Sequence, residues 1–319
     1  MSPKSLHTNQ YLIEDLQGRL GTKNLASWID FQADLLSSDG RVAAGYIHFS
    51  QELLQKRRIK RICEARVVGK ACIKPAHDDY YEITYDPKLS VPALRFAIAH
   101  EIGHTYWFRP GGGAKPLSPL QRRLGRDPDI EYLCNRFAEA LLLPLSAVRS
   151  LENHYGYNEV PSLHAIREIS TRFKLSEQAV VRRLFSVSEL LDGSIICLRK
   201  LITQKWVTQW CVTYDRKYEE HRPSGFRIPL YGKKTVPNDM LPKIPEGGTH
   251  PLALDGRWWQ ALKQVPSGVA STPFRSMPKG NTDRAFACRM ADAIYIALPT
   301  SHQGNDPPAP FESLWTALL

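Results

Sequence analysis

From Asn9 to about Leu36 the apolar positions recur at helical spacing: Leu12, Leu16 and Leu20, then Ala26, Ile29, Ala33 and Leu36, with Gly18 and Gly21 interrupting the run. The pattern predicts an N-terminal helical segment over 1–45. Between Ser50 and Ala65, Leu53, Leu54, Ile59 and Ile62 lie among Lys56, Arg57, Arg58, Lys60 and Arg61, which predicts an amphipathic helix with a basic face. Such charges read first as a solvated face and second as a nucleic-acid contact. Val67–Lys74 and Tyr80–Tyr85 are rich in Val, Ile, Tyr and Thr and flank Pro75, His77, Asp78 and Asp79, so they predict two strands and a turn.

Beyond Asp86-Pro87 the period returns to helical. Pro92 sits in a first turn, and Leu94, Ala97, Ile98 and Ile102 form an apolar face that ends at Arg109-Pro110-Gly111-Gly112-Gly113. A loop rich in Gly, Pro and Arg runs to about Pro128. Ile130–Leu143 reads as the next helix, stopped by Pro144, and residues 162–186 hold two short helical patterns with Ser176 placed to cap the second. From Ile195 the texture becomes β-like, in Ile195–Leu198, Trp206–Tyr214 and Ala293–Leu298. An α+β chain is predicted, with a domain over 46–190, a boundary near Leu191-Asp192-Gly193, and a β-rich, mixed C-terminal domain over 194–319, for which a sensory or substrate-recruiting role and a role in neither are both open.

Composition narrows the class without naming a function. The chain has 319 residues, 43% hydrophobic and 23% charged, which excludes a disordered, collagenous or coiled-coil protein. No run approaches the ~18 apolar residues of a membrane helix, so no membrane association is expected. His7, Asn9, Glu14, Asp15 and Arg19 leave no apolar leader in the first 20 residues. The six cysteines, Cys63, Cys72, Cys134, Cys197, Cys211 and Cys288, form no C-x-x-C pair and read as reduced thiols, which places the protein in the cytoplasm. A net charge of +10 bears on solubility and non-specific association only. Nothing in the sequence sets an oligomeric state.

The chemistry concentrates in His100-Glu101-Ile102-Gly103-His104. Residues four apart on a helix share a face, so both imidazoles can ligate one metal ion while Glu101 leans toward the remaining coordination position. With ten histidines in the chain, chance alone would give this pattern with a probability of roughly two in a hundred, so its context matters. Two histidines and one further ligand make a catalytic zinc site with a position left for water. The third ligand should come from a later helix. Glu131 and Asn135 lie four apart there, Glu131 as the preferred ligand and Asn135 as an outer partner that orients a ligand. Glu139, two turns on, is the rival.

These residues resemble a known family. Arg95-Phe96-Ala97-Ile98-Ala99 running into HEIGH, followed by EYLCNRFAEALLLP over Glu131–Pro144, is similar to the ImmA/IrrE zinc metallopeptidases. That family shows R-x-F-T-x-A-H-E-x-G-H and E-x-x-A-N-x-F-A-x-x-L-L-x-P; Ala97 replaces the usual Thr here and Cys134 the usual Ala. The likeness spans about residues 45–190. It implies a compact gluzincin-like zincin domain, one Zn2+ per chain on His100, His104 and Glu131, and Glu101 as catalytic base. It also implies a protein substrate, such as a helix-turn-helix transcriptional repressor, in a stress-response, mobile-element or phage-defence setting. Peptide-bond hydrolysis is the expected reaction.

Other signals are weaker. Tyr106, His77 and Arg109 are candidates to stabilise an oxyanion. Ile166–Leu184 resembles a helix-turn-helix, with Arg172, Lys174, Arg182 and Arg183 able to meet phosphates. The competing class is therefore a DNA-binding regulatory protein on a retained peptidase fold. Two helices packed under the core, charges outward, is the preferred reading of that pair. Cys134 reads as a buried apolar thiol, Trp206, Trp210, Trp258 and Trp259 as core, and Gly111–Gly113 as a rim of the cleft.

Overall fold

The structure is a computed structural model that describes residues 25–39, 46–76, 80–107, 128–148, 165–187, 193–214 and 285–299, with short stretches and single residues among 18–21, 163, 226–252. Contacts divide the chain into two compact units: 1–147 with 171–176 and 222–224, and 148–170 with 177–221 and 225–319. Helices and sheets are segregated along the chain as an α+β protein requires.

The first unit opens with α1, Leu25–Asp39. Leu25, Ile29, Ala33 and Leu36 are all buried on one stripe, as their spacing predicts. The expected helix over 50–65 is a correction: only α2, Gln51–Lys56, is helical. Ser50 caps it by accepting a hydrogen bond from the Leu53 N–H at 3.3 Å. Arg58 then adopts a left-handed φ of 54°, which breaks the helix. Residues Ile59–Glu64 continue as strand β1. Its two isoleucines are better used in a sheet than on a helix face, because β1 pairs in parallel with the third strand and sets Ile62 beside Ile83. β2, Ala71–Pro75, and β3, Tyr81–Tyr85, follow, and the sheet order is β1-β3-β2. Tyr81 and Ile83 bury one face of β3.

Two long helices complete this unit. α3, Val91–His104, has Pro92 in its first turn, and Ala97, Ile98, Ala99 and Ile102 are buried. α4, Pro128–Leu142, buries Ile130, Leu133, Cys134, Phe137, Ala138 and Leu141. α1 is tied to α4 by an ion pair, Arg136 Nη2 to Asp30 Oδ2 at 2.8 Å, and Asp34 accepts from the Leu145 N–H at 3.1 Å beyond the end of α4. Arg136 is 5% exposed, so the pair with Asp30 is a buried one.

The expected helix pair is present as α5, Ala165–Phe173, and α6, Glu177–Val187. The β runs become a seven-stranded sheet. β4 is Gly193–Lys200, β5 Trp206–Tyr214, β6 Phe226–Arg227, β7 Thr235–Val236, β8 His250–Leu252, β9 Ala285–Arg289 and β10 Ala293–Pro299. The order is β6-β5-β4-β10-β9-β8, with β7 also on β5, and every named pair is antiparallel. Ile195, Cys197, Val212 and Tyr295 are buried on one face and Ile196, Leu198, Ile294 and Ile296 on the other, so both faces of the central strands are covered. Glu177 at the start of α6 accepts from Arg199 Nη2 on β4 at 2.8 Å, and Asp292 before β10 bridges Arg167 Nη1 of α5 at 2.6 Å and Arg199 Nη1 at 2.8 Å.

Candidate metal centre

α3 and α4 build the site, and their approach depends on Gly103. A Cβ there would stand 3.1 Å from Phe137 Cδ1 and 3.2 Å from the Cys134 Cα. A side chain here would make Phe137 and Cys134 give by a few tenths of an ångström, so the fourth letter of His-Glu-Ile-Gly-His answers to packing. Across that contact Glu131 reaches both histidines. His100 Nε2 lies 3.2 Å from Glu131 Oε2, His104 Nε2 lies 3.4 Å from Glu131 Oε1, and the two Nε2 atoms are 3.1 Å apart.

These distances test whether a metal fits. Zinc bonds of ~2.0–2.2 Å at tetrahedral angles place neighbouring donor atoms about 3.3–3.6 Å apart, close to the separations of the two Nε2 atoms from each other and from the Glu131 carboxylate. The donor set fits as well as the geometry does. His100 Nδ1 lies 2.9 Å from Asn135 Oδ1, which can only accept, so Nδ1 carries the proton and the Nε2 lone pair points into the triangle. Among the described residues, His100, His104 and Glu131 form a group able to hold a metal ion, their ligand atoms all within 4.8 Å of one another. Glu139 is not in that group, and it is 2% exposed in the interior of α4.

The protonation preferences follow from crowding and burial. Burial, with His100 adding, lowers the His104 pKa to about 4, so its imidazole is neutral. His100 feels burial in the same direction, but contact with Glu131 and the charge of Glu101 outweigh it and raise its pKa. Burial pushes Glu131 up too, and the histidine contacts reverse this to a net lowering. Glu101 is raised, chiefly by burial, against the pull of His100 and a main-chain hydrogen bond. That bond runs from the Ile73 N–H on β2 to Glu101 Oε2 at 3.0 Å. Sequence reasoning misses Ile73, because a main-chain donor leaves no residue signature.

The turn after α3 is fixed by packing. Arg57 lies 3.5 Å over the Tyr106 ring, and its Nε donates to Thr105 Oγ1 at 2.9 Å. Tyr106 also packs edge-on against Trp28 and tilts against Phe137, so its ring is engaged in the interior of the unit. Arg95, five residues before His100, donates from Nη2 to the Ile47 carbonyl at 2.7 Å and holds the segment before α2 against α3. Cys134 is fully buried beside Trp107, whose Nε1–H points at its sulfur at 3.2 Å, in agreement with an inert thiol. His77, Arg109, Gly111–Gly113, Trp258 and Trp259 lie outside the described residues.

The basic residues of the helix pair divide. Arg172 and Lys174 are exposed, and the Lys174 ammonium rests 4.0 Å from the Tyr46 ring centroid. Arg183 is 1% exposed, which corrects its reading as a phosphate contact, and no described side chain of α6 is exposed. A recognition helix needs a free face to enter a groove, and the described side chains of α6 are buried or half-buried. No described helix is long and apolar enough to cross a membrane.

Residues 66–185 match the model of Peptidase_M78, the IrrE N-terminal-like domain. No curated protein matches the chain. Among solved structures, a Mycobacterium tuberculosis transcriptional regulator is similar at 15% identity, with a TM-score of 0.38, over 88% of this chain and 92% of that one.

Proposed function

Residues 66–185 are an IrrE N-terminal-like domain of the Peptidase_M78 family, and from that premise we propose that this chain is a zinc-dependent endopeptidase acting on a protein substrate in the cytoplasm. The observation that carries the reading is the convergence of His100, His104 and Glu131 beside Glu101, a carboxylate that is not needed to hold a metal. In this reading those three residues hold one Zn2+ per chain. Bound there, zinc lowers the pKa of its water to about 7 and polarises the scissile carbonyl.

Glu101 accepts the proton of the attacking water and delivers it to the leaving amine nitrogen, one group serving both halves of the hydrolysis. Asn135 keeps the His100 proton on Nδ1 and so leaves Nε2 to the metal. The proposed substrate is a helix-turn-helix transcriptional repressor, in a stress-response, mobile-element or phage-defence setting, as the family resemblance implies. The free thiols of Cys63, Cys72, Cys134, Cys197 and Cys288 suit a reducing compartment. The buried Arg183 and the covered α6 favour this reading over DNA recognition by the helix pair.

The test is elemental analysis of wild type and His104→Ala, with each protein incubated with a candidate helix-turn-helix repressor from the same organism and run on a gel. About one zinc per chain and a cleaved repressor, both lost in His104→Ala, are expected. A wild type that binds no metal would sink the enzyme reading.

A further inference from the structure

β2 is an edge strand, because the order β1-β3-β2 leaves one of its sides unpaired. Its bonds to β3 fall on alternate residues. The Asp86 N–H donates to the Lys70 carbonyl just before β2, and the Ala76 N–H to the Tyr80 carbonyl just after it, in a register that sets Cys72 opposite Thr84 and Lys74 opposite Glu82. Even-numbered residues therefore face β3, and Ala71, Ile73 and Pro75 turn their main chain outward. Pro75 has no N–H to offer. The outward N–H of Ile73 donates to Glu101 Oε2 at 3.0 Å, and among the described residues this is the sole hydrogen bond to that carboxylate.

Glu101 is carried by α3 on a side chain with three rotatable bonds, and its backbone alone does not fix where the carboxylate lies. A base must be held within about half an ångström of its working position to act efficiently. We propose that the Ile73 N–H is the positioning group for Glu101, so that a strand edge, and not the helix that carries the residue, aims the carboxylate. One oxygen is tied to the strand and the other is left to face the reacting water. Any residue except proline supplies the donor. The inference rests on the reading of Glu101 as the catalytic base.

The test uses the full zinc-loaded chain. With 15N-labelled isoleucine, the Ile73 amide of wild type should exchange slowly although it faces away from β3. In Glu101→Ala its exchange should quicken about tenfold or more, whereas Glu101→Gln, whose side-chain carbonyl can still accept from the Ile73 N–H, should stay slow. An exchange rate unchanged in Glu101→Ala overturns the proposal. Ile73→Pro removes the donor at an outward position of an edge strand and leaves the bonds to β3 in place. It should keep its zinc and lower kcat on that repressor about tenfold or more with KM unchanged. A folded, zinc-loaded Ile73→Pro with full kcat also overturns it. If wild type cuts neither the repressor nor casein, the peptidase reading fails, while the exchange comparison still decides whether Ile73 holds Glu101.

Discussion

An imidazole that donates through one ring nitrogen offers a metal only the other, and Asn135 makes that choice for His100. Asn135→Ala removes the acceptor without touching a ligand, so zinc affinity should fall about 10–100-fold, measured by competition with a chelator, with the fold retained. An unchanged affinity would show that the triangle alone orients the ring. The spacing of His100, His104, Glu131 and Asn135 is enough to anticipate both the convergence and this outer contact, because i, i+4 positions share a helix face whatever surrounds them. The choice of Glu131 over Glu139 needs more than spacing, since both lie on one helix. Which carboxylate crosses to α3 is a matter of tertiary packing, and Glu131 Oε1 and Oε2 lie beside the two histidines. Tyr106 shows the opposite case: a polar residue near a motif that sequence offers as a candidate, engaged instead by Arg57, Trp28 and Phe137.

At the level of elements, the contact of α3 with α4 turns on Gly103. Gly103→Ala brings a helix-propensity gain of about 1 kcal/mol against overpacking of about 1–3 kcal/mol, so its effect on stability is modest. Its effect on the site is larger, because Phe137 and the Cys134 backbone must give way and Glu131 moves with them. Zinc affinity should fall about tenfold, read by the same competition, while the melting temperature shifts by a few degrees. A second prediction belongs to the bridge between α5 and the C-terminal sheet. The hydrogen bond from Arg167 holds the Asp292 carboxyl below its ordinary range; burial opposes this and Arg199 adds to it. A carboxyl lowered on folding stabilises above its unfolded pKa of about 4 and loses that contribution as pH falls through the lower folded value. Asp292→Asn should therefore melt roughly 2–4 °C below wild type at neutral pH, taking ~1 kcal/mol for a half-exposed pair. The gap should close in acid, and a gap constant from pH 7 to pH 3 would contradict the assignment. Helix and strand runs are legible here wherever the period is long, as in α3, α4, β5 and β10. The segment 50–65 is not, because Ile59 and Ile62 fit either period and a left-handed Arg58 decides between them.

For the whole molecule, a metal held at this site would become part of the folding equilibrium. Free zinc at about a hundred times its Kd contributes roughly 2.7 kcal/mol to the loaded protein, so chelation should lower the melting temperature of wild type by roughly 5–10 °C. The same treatment should leave His104→Ala unmoved, and scanning calorimetry of both reads the difference. The division of the chain is where sequence falls short: a change of texture near Gly193 marks the start of a sheet, yet residues 148–170 and 177–187 cluster with that sheet. A partition drawn from texture cannot see this, because an apolar helix face does not say which neighbour it buries against. The bridge from Arg167 to Asp292 closes over 125 residues. During synthesis α5 and α6 therefore leave the ribosome well before Asp292 exists, and α6 must wait for β5, the strand it packs against, to be made. A nascent chain paused near residue 190 is the form of this protein most in need of a chaperone.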